Sequence, residues 1–164
     1  MGRRIRNPET RVKLLGGEIQ FNFEGRGIHE WRDRLEGFHT RATNLQPVFD
    51  EFGQYMLGSI RRNFEAEGRP RRWPALAPST IQQRQRQGYG AGPILQRTGR
   101  LRRGFRVHTG TAFLRIVNDT PYYKYHQQDK RRGKKIPRRI MVVLLDQDKA
   151  QFTRILRGYL SDGN

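Results

Sequence analysis

The chain of 164 residues sets 33 Lys and Arg against 15 Asp and Glu, a formal net charge of +18, and 27 of the 33 bases are Arg. That length suits one domain; the lack of Cys excludes a disulfide framework, a thiolate nucleophile and Cys-ligated zinc; and the longest apolar run, the six residues Ile140 to Leu145, is too short to cross a bilayer. An aromatic share of 10% is too high for a disordered basic tail, while 34% hydrophobic residues support only a modest core, so stability is expected to lean on partners.

Residues 1–16 read as a basic N-terminal arm. Met1 to Arg6 is followed by Asn7-Pro8-Glu9 and no apolar stretch, which is not a signal peptide. Residues 17–164 then form a single α+β domain. Ile19, Phe21 and Phe23 alternate with Gln20 and Asn22, the pattern of a half-buried strand. From Leu35 to Phe64 apolar residues recur every three or four positions, a helical stripe that Pro47 divides into helices over 28–42 and 45–66, with Asn44 as the N-cap of the second.

Residues 67–100 hold most of the Gly and Pro and are expected to be an extended, irregular interaction loop with one short helix at 78–86. Beyond it, 105–108 and 112–117 flank Thr109-Gly110-Thr111 as a hairpin, and 139–145 reads as a third, more buried strand. Asp146 or Asp148 caps a last helix carrying Phe152, Ile155, Leu156 and Tyr159. The expected architecture is an antiparallel sheet packed against a long central helix and a C-terminal helix, with the long irregular loop outside it.

No catalytic motif emerges. His29, His39, His108 and His126 stand in no metal-ligand spacing, the acids are sparse, and neither a P-loop nor a GxSxG elbow occurs. The expectation is a protein that is not an enzyme and has no cofactor or metal. Twelve Arg but only Glu65 and Glu67 lie between Arg61 and Arg106, and seven more bases lie from Lys130 to Arg139. Arg69, Arg71, Arg72, Arg84 and Arg86, with Lys130, Arg131, Arg132, Lys134 and Lys135, are candidate contacts for nucleic-acid phosphates or for acidic faces of neighbouring proteins. Charge alone favours neither.

One string is sharper. Phe64 ends a helix, Gly68 breaks it, and Trp73-Pro74-Ala75-Leu76 places two apolar anchors in a polar stretch, so Trp73 and Leu76 either pin the loop to the core or are buried by a partner. For Trp73 the core is the favoured reading. About twenty residues on, Ile94-Leu95-Gln96-Arg97-Thr98-Gly99-Arg100-Leu101 leads into the hairpin, followed by Asn118, Pro121-Tyr122-Tyr123, His126-Gln127 and Ile136-Pro137-Arg138-Arg139.

In order and spacing these pieces resemble the phage virion morphogenesis proteins, tail-completion or head-to-tail joining components of tailed phages, over roughly residues 28–160. The resemblance implies a non-enzymatic structural protein of the virion neck or top of the tail, made in the bacterial host cytoplasm and carrying no membrane segment. It implies a homo-oligomeric ring, six copies by analogy with tail symmetry, that joins head to tail beside neighbouring neck, connector and tail proteins and contacts packaged DNA without reading its sequence. Trp73, Leu76, Leu95, Arg100, Leu101, Tyr122 and Tyr123 are then candidates for the subunit or ring interface. The alternative reading is a cytoplasmic RNA-binding or ribosome-associated basic protein. A third, an Arg-rich nuclease-like toxin, lacks the acid-base cluster such chemistry needs.

Overall fold

The computed structural model describes residues 9–15, 18–24, 26–127 and 137–161. Among them the fold is α+β. Strands β1 (Glu9–Leu15) and β2 (Glu18–Glu24) pair antiparallel, with Val12 opposite Phe21 and Leu14 opposite Ile19. β1 therefore occupies a segment expected to be part of a basic arm. Helices α1 (Arg26–Thr43), α2 (Gln46–Glu65) and α3 (Pro78–Arg86) follow, then a single turn, α4 (Arg100–Arg103). A second hairpin, β3 (Phe105–Gly110) and β4 (Phe113–Asn118), the short α5 (Tyr123–Gln127) and α6 (Asp146–Ser161) complete the described chain.

α2 is the spine. Its residues Val48, Phe52, Met56, Ile60 and Phe64, four apart, are all buried, as one helical face must be when both halves have something to cover. Pro47 sits in the first turn, where its missing N–H costs nothing; the N-cap is Leu45 and not the expected Asn44, which lies one residue earlier and whose Oδ1 accepts from Gln46 N–H at 3.2 Å in a turn ahead of the helix. The β3–β4 hairpin lies so close that a Cβ on Gly53 would sit 2.6 Å from Val107 Cγ1. Only glycine fits there.

The two ends of α2 feed different clusters. Val48, Phe52 and Met56 pack with Ile155, Phe152 and Leu156 of α6. Ile60 and Phe64 pack with Trp73, Ile94, Leu101, Phe105 and Met141. Between them, fully buried Asp148 accepts through Oδ1 from Tyr55 OH (2.9 Å) and Ser59 Oγ (3.1 Å), and through Oδ2 from Leu145 N–H (2.9 Å), so one carboxylate caps α6 and joins it to α2.

The third strand expected over 139–145 does not form. That stretch is irregular, and side chains take the place of a ladder: Asn63 Nδ2 donates to Ile140 O and Met141 O, while Gln127 Oε1 accepts from Met141 N–H and Val142 N–H and its Nε2 donates to Val142 O. The sheets are consequently two separate two-stranded hairpins.

Candidate functional site

The site begins where α2 stops. Glu67 adopts φ +52° and Gly68 φ +115°; Glu67 N–H donates to Phe64 O at 3.2 Å and Gly68 N–H to Asn63 O at 2.9 Å, the paired bonds of a left-handed helix end. The chain then turns back beneath Trp73, whose N–H donates to Glu67 O at 2.6 Å. A Cβ on Gly68 would lie 2.6 Å from both Arg71 O and Trp73 N, so this path exists only with glycine there.

The loop expected to be irregular is tied down along its length. Trp73 stands edge-on to Phe64 with centroids 5.3 Å apart, and its indole N–H donates to Ile140 O at 2.9 Å. Glu67 Oε1 accepts from Ile94 N–H at 2.7 Å, and Gln96 Nε2 donates to Phe64 O at 3.1 Å. Arg139 donates to Pro74 O and Ala75 O, each at 3.0 Å; Arg84 donates to Pro93 O and Gly92 O, each at 3.1 Å.

These ties enclose a groove of about 710 Å³ between α3, the segment before α4, α5 and the chain at 137–139. Leu76, Leu95 and Leu101 supply apolar walls, with Ala75, Ala77 and Pro137 beside them. Its ionisable lining among the described residues is Arg84, Arg97, Arg139, His126 and Tyr122, with no Asp or Glu among them. Arg84 and Arg139 are each only 5% exposed. Burial lowers the Arg139 guanidinium from its ordinary range. Burial first, then the Arg139 charge, lowers the His126 imidazole, against a hydrogen bond to the Pro137 backbone that raises it.

The structure thus brings Leu76, Leu95, Leu101, Tyr122 and Arg84, picked from distant parts of the sequence, into one groove. Trp73 is buried in the chain's own core, the reading the sequence favours for it, and Leu101, a candidate for the interface, is buried there too; both hold the groove's frame instead of presenting apolar surface to a neighbour. Two of the candidate cation contacts are corrected in kind. Arg84 has its guanidinium turned onto loop carbonyls, and Arg69 donates through Nη2 to Ser59 O (2.6 Å) and Ser59 Oγ (2.9 Å), so neither is a free surface cation. Tyr123 packs edge-on against Phe105, outside the groove. Arg71, Arg72, Arg86 and Arg100 are exposed, and Lys130, Arg131, Arg132, Lys134 and Lys135 lie outside the described residues.

Sequence reasoning missed His126, Arg97 and Arg139 as groove residues, since only the fold sets α5 and 137–139 beside α3. It also did not single out Arg61, Arg102, Arg103 and Arg106, which wall a second hollow of about 340 Å³. Among the described residues no group of three His, Cys, Asp or Glu could hold a metal ion, and no helix is long and apolar enough to cross a membrane.

Fold and groove define a small structural module whose polar side chains serve to fix its own loop. The model of the phage virion morphogenesis family matches residues 25–161, most of the chain, and the chain belongs to that family. It has a role in phage virion structure or assembly, and membership implies a structural rather than a catalytic part in it. No curated protein and no solved structure matches the chain.

Proposed function

We propose that this chain is a tail-completion or neck protein of a tailed phage, assembling with copies of itself into a ring of six that joins the DNA-filled head to the tail. The observation that carries the ring is α1. Leu35 and Phe38 share one face of that helix and are 65% and 50% exposed, although α1 packs against α6. An amphipathic helix with its apolar face uncovered is unfavourable in an isolated protomer and favourable where a neighbour covers it. The exposed Arg71, Arg72 and Arg86 then face packaged DNA or the acidic surfaces of adjacent neck, connector and tail proteins.

The test is cryo-electron microscopy of the intact particle that encodes this chain. A closed ring of it at the head-to-tail joint is the expected result. Its absence from purified virions, with the protein travelling instead with ribosomes or RNA in high salt, overturns the proposal and favours the RNA-binding alternative.

A further inference from the structure

The α1 face does not account for the groove. Arg84 and Arg139, buried on its wall, donate to the carbonyls of Gly92, Pro93, Pro74 and Ala75. Carbonyl dipoles stabilise a guanidinium but leave its net charge in place, and burying a charge without a counter-charge is unfavourable. No acid among the described lining residues supplies one. Arg84 Nε and His126 Nδ1 are buried, and neither has a hydrogen-bond partner among the described residues. Beside these groups stand Leu76, Leu95 and Leu101, so an occupant must satisfy cations and apolar walls together.

We propose that this groove binds a short peptide segment of a second virion protein, one that sets a carboxylate toward Arg84, Arg139 and His126 and packs adjacent apolar side chains on Leu76 and Leu95. The virion setting of that partner rests on the family reading above; the chemistry of the groove does not. A second copy of this chain is a poor occupant, because at +18 its surface repeats the groove's own sign. A nucleic-acid phosphate matches the cations but brings only sugar and hydration to the leucine walls. A peptide with acid and apolar side chains matches both.

The experiment equilibrates nuclease-treated, labelled full-length protein with a bead-displayed library of random octapeptides, then resynthesises the enriched sequences and titrates them. Gln83→Glu and Ala77→Glu each place a carboxylate in the groove at exposed positions, whereas Gln85→Glu makes the same charge change on α3 outside the lining. The expected result is enrichment of Asp or Glu beside Leu, Ile or Phe. The selected peptide binds wild type and Gln85→Glu alike, binds Gln83→Glu and Ala77→Glu at least tenfold more weakly, and is not displaced by duplex DNA. Enrichment without that pattern, or equal weakening by Gln85→Glu, overturns the proposal by placing binding on the general basic surface. Displacement by duplex DNA whose own binding falls selectively in Gln83→Glu overturns it in favour of a nucleic-acid site. None of these outcomes bears on the ring, which the particle image decides separately.

Discussion

The side chain of Glu67 accepts a hydrogen bond from the backbone N–H of Ile94 at 2.7 Å, joining the two ends of a loop 27 residues apart in sequence. Glu67 does this from a left-handed backbone conformation, φ +52°, in which most residues other than Gly, Asn and Asp are strained. The side chain that pins the loop therefore holds a position that favours glycine. Glu67→Gly should relieve the backbone and lose the tie, while Glu67→Gln keeps an acceptor. Urea unfolding should rank Gln as the milder change, with the loss in Glu67→Ala about 1–3 kcal/mol, the cost of stranding a part-buried N–H.

Trp73→Ala removes a buried ring, its edge contact with Phe64 and its bond to Ile140 O. The expected loss is about 3–5 kcal/mol, seen as a lowered urea midpoint of the isolated protein. Trp73→Phe should lose much less, because Ile140 O still accepts from Asn63 Nδ2. Equal, small effects of both substitutions would mean that the ring does not hold the core.

Gly68→Ala should lower stability by about 1–3 kcal/mol or more, since φ +115° disfavours a side chain and its Cβ would press on Arg71 O and Trp73 N. Gly88→Ala is a useful comparison: its φ is also positive, +76°, but nothing lies within 4 Å of its Cβ. The excess loss at Gly68, measured by thermal unfolding of the two variants, reports the close approach of the chain beneath Trp73.

His126 gives stability a pH dependence of known sign. Its folded-state pKa lies below the ordinary 6.5, so as pH falls through 6.5 the unfolded chain takes up a proton that the folded chain refuses. This contribution is present above that value and is lost toward acid. Melting temperatures between about pH 8 and pH 5 should decline more steeply in wild type than in His126→Asn, the difference in slope isolating the imidazole from the carboxylates that titrate lower. Tyr55 runs the other way. Burial, and then its bond to Asp148, raise its pKa above 10.0, so its contribution is intact below that value and is lost as pH rises further; Tyr55→Phe should flatten the alkaline decline.

Leu35→Glu with Phe38→Glu tests the uncovered face of α1. At 65% and 50% exposure the pair should change the stability of the isolated protein by only about 0.5 kcal/mol, yet prevent incorporation into particles. Because the chain has no Cys, Leu35→Cys places one thiol per copy; in a ring that thiol lies under a different patch of the neighbouring copy, so a thiol-reactive label should modify dilute protein and be excluded in assembled particles.

Much of this fold was legible in the sequence. The recurrence of apolar residues every three or four positions up to Phe64 marks α2, although Val48 and not Phe49 is the buried residue of its first turn, and the boundaries of α3 at 78–86 follow from Pro78 at its start and the glycines after it. The failure at 139–145 has a physical cause: a run of β-branched and apolar residues reads as a strand, but here Asn63, Trp73 and Gln127 satisfy its backbone from far along the chain. Local pattern carries no trace of such partners. The groove was half legible for the same reason. Leu76 stands out as an apolar residue in polar surroundings, and Leu95 and Tyr122 follow from the family resemblance, whereas Arg139 and His126 join them only through tertiary placement. Counting arginines also hid the difference between Arg71, which is exposed, and Arg69, which is bonded to Ser59.

The division of α2 between two clusters bears on how the protomer is made. Met141 completes one cluster and Ile155 the other, and Asp148, which joins α6 to Tyr55 and Ser59, lies between them in sequence. During synthesis Trp73, Ile94, Leu101 and Phe105 leave the ribosome soon after α2, but Asp148 follows its partners Tyr55 and Ser59 by 93 and 89 residues. A nascent chain released before Met141 has neither cluster closed. Translation must therefore run almost through α6 before a protomer can hold its shape, and prematurely terminated copies have no finished surface with which to enter a growing particle.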